Sequence, residues 1–173
     1  MAREENEIVR SVFVTGLRDA HAVEHQALAL MDRQLDRLEH YPEIEARMRE
    51  HRVETEQQIQ RLDDILDKIG ESSSALKDAA LTMSGNVAAL AHTLAGDEIL
   101  KNSFANFAFE NFEAASYKSL ITVAEVGGFD SAIPLLRTTL EEELAMARFC
   151  DEALPMVTRR FLDLRAAAHT ASH

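Results

Sequence analysis

Four glutamates, Glu24, Glu54, Glu113 and Glu142, lie on otherwise apolar helical stripes, with 30 residues between the first two and 29 between the last two. A carboxylate on a core stripe needs compensation, because burying an unpaired ionised group costs roughly several kcal/mol or more. Two matching pairs predict a duplicated helical hairpin that points its carboxylates at one centre. Such a cluster is too repulsive to stay charged without cations, so the chemistry it predicts is metal binding. Di-metal carboxylate bundles take one Glu from each of two helices and a Glu-x-x-His from each of the other two. Bridging carboxylates neutralise two divalent ions about 3.5–4 Å apart, and imidazole supplies terminal ligands suited to iron or manganese.

The four glutamates are present, but neither Glu-x-x-His is: Gln57 follows Glu54 by three and Ala145 follows Glu142 by three. Instead His51 precedes Glu54 by three, which puts both on one helical face. Glu110 stands three before Glu113, and Glu143 is a second candidate beside Glu142. In this reading Glu54 and Glu142 bridge two divalent ions per chain, iron or manganese, Glu24 and Glu113 are terminal, and His51 and Glu110 complete the shell.

Plainer readings compete at each position. Glu24 could sit at a surface edge, and His51 could be an ordinary half-buried histidine. Periodicity does not choose between Glu142 and Glu143, since Glu141-Glu142-Glu143 could be a solvated run. His21 precedes Glu24 by three but is expected nearer the surface, with His25, His40, His92, His169 and His173. Tyr117 is a hydrogen-bond partner to the ligands or packing. Phe104, Phe107, Phe109 and Phe112 suit core or dimer packing, and Cys150 an inert buried thiol.

The elements that must carry these residues are helices. Leu17, Glu24, Met31 and Leu38 are spaced by seven within a first helix over about 4–40. Pro42 suits the first turn of a second helix, which runs to about Ile69 with Gly70 as its stop. Its stripe is Ile44, Met48, His51, Thr55, Ile59, Leu62, Leu66 and Ile69. Short helices are expected within Ala75 to Ala95. Asp97 is a candidate N-cap for a third helix over 98–126, apolar on much of its circumference as expected of a deeply buried helix, which Gly127-Gly128 ends. The fourth, over 129–152, carries Leu135, Thr139, Glu142, Met146 and Phe149 on one stripe. Pro155 opens a short extra helix over 153–168, and 169–173 is a tail. The prediction is an all-α, ferritin-like four-helix bundle, a single domain over 1–173 with its core at about 4–152 and a crossover between the second and third helices.

Composition agrees. The 173 residues are 46% hydrophobic and 28% charged, with only three Pro and six Gly, which favours helix. A net charge of −12 argues against a nucleic-acid partner. One cysteine excludes an intrachain disulfide and a Cys-rich zinc site. No run approaches the roughly 18 apolar residues of a membrane span, and Met1 to Arg10 is unlike a secretory signal. A cytoplasmic chain is expected. The surplus apolar surface of the third helix predicts a homodimer.

Four segments in order resemble the YciE/YciF-type ferritin-like family. The run Asp19-Ala20-His21-Ala22-Val23-Glu24-His25-Gln26-Ala27-Leu28 is similar to its first-helix motif. His51-Arg52-Val53-Glu54-Thr55 resembles its His-x-x-Glu-Thr, and Gln58-Ile59-Gln60-Arg61-Leu62 continues the match. Glu110-Asn111-Phe112-Glu113-Ala114-Ala115-Ser116-Tyr117 resembles its Glu-His-Tyr-Glu-Ile-Ala-x-Tyr, and Leu140-Glu141-Glu142-Glu143 its Leu-x-Glu-Glu. The resemblance spans about 11–152 and implies a relative of rubrerythrins and manganese catalases, usually dimeric and associated with bacterial stress responses. Asn111 departs from it, standing where the family commonly has His. The function expected is a di-iron or di-manganese stress protein that reacts with oxygen or peroxide. The alternative is a structural or interaction bundle of the same fold. An iron-storage cage is a third, weaker option that no feature of the sequence favours.

Overall fold

The computed structural model of the protein describes residues 2–71 and 97–167. All regular structure among them is helical: α1 (Ala2–Leu35), α2 (Pro42–Lys68), α3 (Glu98–Gly127) and α4 (Ile133–Ala166). Each helix packs on two neighbours, α1 on α2 and α3, and α4 on α3 and α2, which leaves α1/α4 and α2/α3 as the diagonals of a square bundle.

Side-chain contacts fix the directions. On α1 and α3, Gly16 approaches Leu120 and Gln34 bonds Asn106, so these helices are antiparallel. On α2 and α4, Gln58 bonds Glu143 and Arg61 bonds Thr139, so these are antiparallel too. Arg10 reaches the Ile69 carbonyl at the end of α2, whereas Arg37 reaches Glu98 at the start of α3. The end of α2 and the start of α3 therefore lie at opposite ends of the bundle, where a crossover of ferritin-like connectivity requires them. The short helices expected within Ala75 to Ala95, His92 and the tail from 169 lie outside the described residues.

Local chemistry sets the helix ends. α1 stops at Leu35, earlier than expected, because Leu38 and Tyr41 turn inward and are buried at the bundle end. Pro42 opens α2, where its missing N–H is not needed. Asp97 precedes α3 but does not cap it; its carboxylate pairs with Lys101 at 2.9 Å. Gly128 closes α3 at φ +69, a left-handed conformation that costs glycine little, and the Phe129 N–H returns to the Ala124 carbonyl.

Two expectations are corrected. Pro155 starts no separate helix: α4 runs unbroken through it to Ala166. Pro155 is exposed, so the Asp151 carbonyl that loses its donor faces solvent instead of the core. α3 is not buried all round. Among the described residues it meets two helices, and Phe104, Phe107 and Phe112 on its outer side are 53%, 40% and 53% exposed.

The core divides in two. One apolar cluster gathers Phe13, Leu17, Leu62, Leu66, Leu120 and Leu136, with Phe129 stacked on Phe13 at 4.4 Å. The other gathers Met31, Leu35, Tyr41, Met48, Ile99 and Val157. Between them the inward positions are polar.

Candidate metal centre

All four helices contribute to that polar layer. Glu24 comes from α1, His51 and Gln58 from α2, Glu110, Glu113 and Tyr117 from α3, and Glu143 from α4; all are buried. The helical period puts His51 with Gln58, and Glu110 with Glu113 and Tyr117, on single faces. His51 stands between two carboxylates, with Nδ1 2.9 Å from Glu54 Oε2 and Nε2 3.1 Å from Glu110 Oε2. Ligating atoms of His51, Glu110 and Glu143 all lie within 4.8 Å of one another. The Gln58 amide donates to Glu143 Oε1 at 2.6 Å and to Glu142 Oε2 at 3.1 Å. Tyr117 donates to Glu24 Oε1 at 2.5 Å.

Glu54 and Glu142 sit otherwise than bridging ligands would. Each lies at the chamber's edge, held by an arginine. Arg47 donates to Glu54 through both terminal nitrogens at 3.1 Å. Arg61 grips Glu142 at 2.6 and 2.7 Å. The inward carboxylate of α4 is Glu143, with Leu136 rather than Leu135 on its stripe. The structure thus brings Glu24, His51, Glu110, Glu113 and Glu143 together and leaves Glu54 and Glu142 on the rim. His21 is also corrected, being buried rather than near the surface.

The electrostatics are those of crowded, desolvated acids. Burial pushes Glu24 up from 4.5 to about 8, against the opposing Tyr117 bond and His51, with Glu110 and Glu142 adding to the rise. Burial also carries Glu113 well above the usual carboxylate range, helped by the charges of Glu24, Glu143 and Glu110. Glu143 rises for the same reason, with the charges of Glu110 and Glu24 adding to the rise and His51 opposing it. Burial alone would lower His51, but hydrogen bonds to Glu110 and Glu54 and the charges of Glu110 and Glu143 prevail and push it up to about 10. Glu54 moves the other way, held low first by its bond from His51 and also by Arg47. Without cations the chamber therefore keeps protons.

Residues and geometry fit divalent ions. Glu24 Oε2, Glu113 Oε1, Glu143 Oε2 and Gln58 Oε1 are buried acceptors with no hydrogen-bond partner among the described residues. Buried oxygens left unpaired cost free energy unless something binds them. Hard oxygen donors with one imidazole suit iron or manganese. Beside the chamber, Met31, Met48, Phe109 and Met146 border an apolar recess of about 50 Å³ that has Glu110 in its wall.

Sequence reasoning missed three participants. Gln58 follows His51 by seven, a visible heptad step, whereas the apolar stripe of α2 runs through its neighbour Ile59. Arg47 and Arg61 gave no signal, because their partners are set by packing. Cys150 is buried as expected, and burial pushes its thiol up to about 12.

Comparison with known proteins agrees with this architecture. Residues 9–163 match the family model described as a domain of unknown function, DUF892. The chain is 31% identical over 147 residues to protein YciF of Escherichia coli strain K12, covering 79% of this chain and 84% of that protein. Among solved structures it is similar to a protein from Xanthomonas campestris pv. campestris, with TM-score 0.76 and 28% identity over 91% of this chain and 99% of the other. It is also similar to the E. coli stress protein YciF, with TM-score 0.68 and 26% identity over 84% and 94%.

Proposed function

We propose, from the premise that the chain belongs to the DUF892 family, that its central chamber binds two divalent ions, iron or manganese, and that the protein serves as a stress protein reacting with oxygen or peroxide. The observation that carries this reading is the set of unpartnered carboxylate oxygens on Glu24, Glu113 and Glu143, buried around His51 and Glu110. Charge supports the number of ions. Six carboxylates, rim pair included, against Arg47 and Arg61 leave four negative charges when His51 is neutral, which two divalent ions balance.

Glu24, Glu110, Glu113, Glu143 and His51 would hold the ions. Bound there, they would supply one-electron chemistry toward a small oxidant. The chain's own residues do the rest. Tyr117 orients Glu24, Gln58 orients Glu143, and Glu54 holds the Nδ1 side of the His51 ring so that Nε2 faces the chamber. His51 must give up its proton before it ligates, so binding couples to proton release. The recess beside Glu110 is apolar enough to admit a small neutral oxidant. The relative called a stress protein supports the same context.

A second reading, a structural bundle without metal chemistry, draws on the single histidine and on the arginines holding Glu54 and Glu142. Metal analysis of untagged protein separates the two. About two ions per chain after aerobic iron or manganese loading supports the first; none supports the second.

The outer face of α1 and α3 supports a homodimer. Ile8 and Val12 of α1 and Phe112 of α3 are exposed beside a groove that also takes in Val23 and Val123. A second copy would cover this face across a two-fold axis.

A further inference from the structure

Away from the chamber's interior, α1 and α2 assemble a second group of ligand atoms. His21 and His25 lie one turn apart on α1, their ring centroids 4.6 Å apart and their planes at 62°. Asp63 on α2 places Oδ1 3.3 Å from His21 Nε2. That oxygen is itself buried, and its contact with His21 is a long ion pair rather than a close, well-aligned hydrogen bond. An N–H···O bond settles near about 2.9–3.0 Å. Two tetrahedral zinc ligands, each held at roughly 2.0–2.2 Å, stand about 3.3–3.5 Å apart. The His21–Asp63 pair is therefore spaced as two ligands of one ion.

The geometry points to a second, independent site for a zinc-like transition-metal ion, held by His21 Nε2, Asp63 Oδ1 and the His25 ring. Histidines at i and i+4 present both rings to one face, the spacing zinc sites on helices use. His25 is exposed, so its ring turns toward the ion by side-chain rotation without moving backbone. Burial and the neighbouring His25 lower the His21 pKa, although Asp63 opposes the shift, which favours the neutral form that ligates. The donor set also differs from the chamber's. Two imidazoles and one carboxylate suit zinc, copper, nickel or iron(II), and at such a site copper and zinc bind more tightly than manganese or iron. The solvent side leaves the fourth position to water, an open arrangement rather than a closed structural one.

Calorimetric titration of the metal-free full chain with Zn²⁺ tests this, using wild type, His25→Ala, Asp63→Asn and, as a control, His40→Ala. His25 is exposed, so its variant keeps the fold, which circular dichroism checks. Glu143→Gln separates uptake by the chamber. The expected result is loss of one zinc equivalent, or about a tenfold or greater loss of affinity, in His25→Ala and Asp63→Asn. His40→Ala and Glu143→Gln should retain that equivalent. In wild type the ring nitrogens of His21 and His25 should shift on zinc addition in heteronuclear NMR. Equal zinc uptake by wild type, His25→Ala and Asp63→Asn would overturn the proposal, as would disappearance of all zinc binding in Glu143→Gln.

Discussion

Tyr117 on α3 donates its hydroxyl to Glu24 on α1 at 2.5 Å, and both residues are almost fully buried. This bond is one of the influences that hold the Glu24 pKa down. Tyr117→Phe removes it while keeping the ring, so Glu24 should titrate still higher and lose its fixed orientation. Cation-free stability should fall by about 1 kcal/mol, typical of one buried hydrogen bond. Affinity for Mn²⁺ or Fe²⁺ should fall about 10–100-fold. Unchanged metal affinity in this variant would mean that Glu24 is no ligand.

Glu142 and Glu143 are neighbours in sequence with opposite surroundings, and their amides should behave oppositely. Glu143→Gln should abolish the thermal stabilisation that Mn²⁺ or Fe²⁺ gives the wild type, while leaving the cation-free fold equal or more stable. It removes one repulsive buried acid. Glu142→Gln should keep most of the metal response and instead lose about 1–3 kcal/mol, because Arg61 is left without its charged partner. Thermal melts of both variants with and without metal decide it. Reversal of the two patterns would restore Glu142 as the ligand.

Rim and interior also differ in Glu54. Because Glu54 fixes the His51 ring from outside, Glu54→Gln should weaken metal binding about 10–100-fold without abolishing it. A metal titration that detects no binding at all would make Glu54 a direct ligand.

Stability of the cation-free protein should fall as pH rises. Glu24 is raised from 4.5 to about 8, so its contribution is complete below 4.5 and is lost as pH climbs through 8. His51, raised from 6.5 to about 10, contributes fully below 6.5 and loses that contribution as pH climbs through 10. Glu54 is lowered, so its contribution disappears only as pH drops below its ordinary range. The melting temperature should therefore decline from about pH 6 to pH 10. Saturating Mn²⁺ should flatten that decline, since ions replace the protons. A cation-free melting temperature that rises over this window would contradict the buried-acid description.

The exposed phenylalanines give a prediction about association. If a second copy covers the α1/α3 face, Phe112→Asp should convert a dimer to a monomer at micromolar concentration, leaving helicity unchanged. Light scattering reads the outcome. A wild type that is already monomeric removes the dimer.

Much of this was legible from spacing alone. Heptad steps put Glu24 with Leu17 and Met31 on the buried face of α1, and a step of three puts His51 with Met48 on that of α2. What spacing missed or left open was a matter of one residue: Ile59 stood for Gln58, and Glu142 and Glu143 were not separated. A real helix drifts about 20° per heptad against a seven-residue repeat, so a stripe drawn from apolar residues alone slips between adjacent positions. Within Glu141-Glu142-Glu143 no apolar residue corrects the slip. The arginines were illegible for a different reason. Arg61 meets Glu142 across 81 residues of chain, and only the packing of α2 on α4 brings them together. Pro155 misled because proline opposes helix locally, whereas the cost is small when the freed carbonyl faces solvent.

Gly16 on α1 faces a side chain of α3 at close range: a Cβ there would lie 2.8 Å from Leu120 Cδ2. A glycine inside a helix weakens it by roughly 0.5–1 kcal/mol relative to alanine, yet alanine here requires the end of the Leu120 side chain to shift within its apolar cluster. The two positions are therefore one packing unit. Related chains that carry a larger residue at the first should carry a smaller one at the second, and sequences that change only one of the pair should be rare.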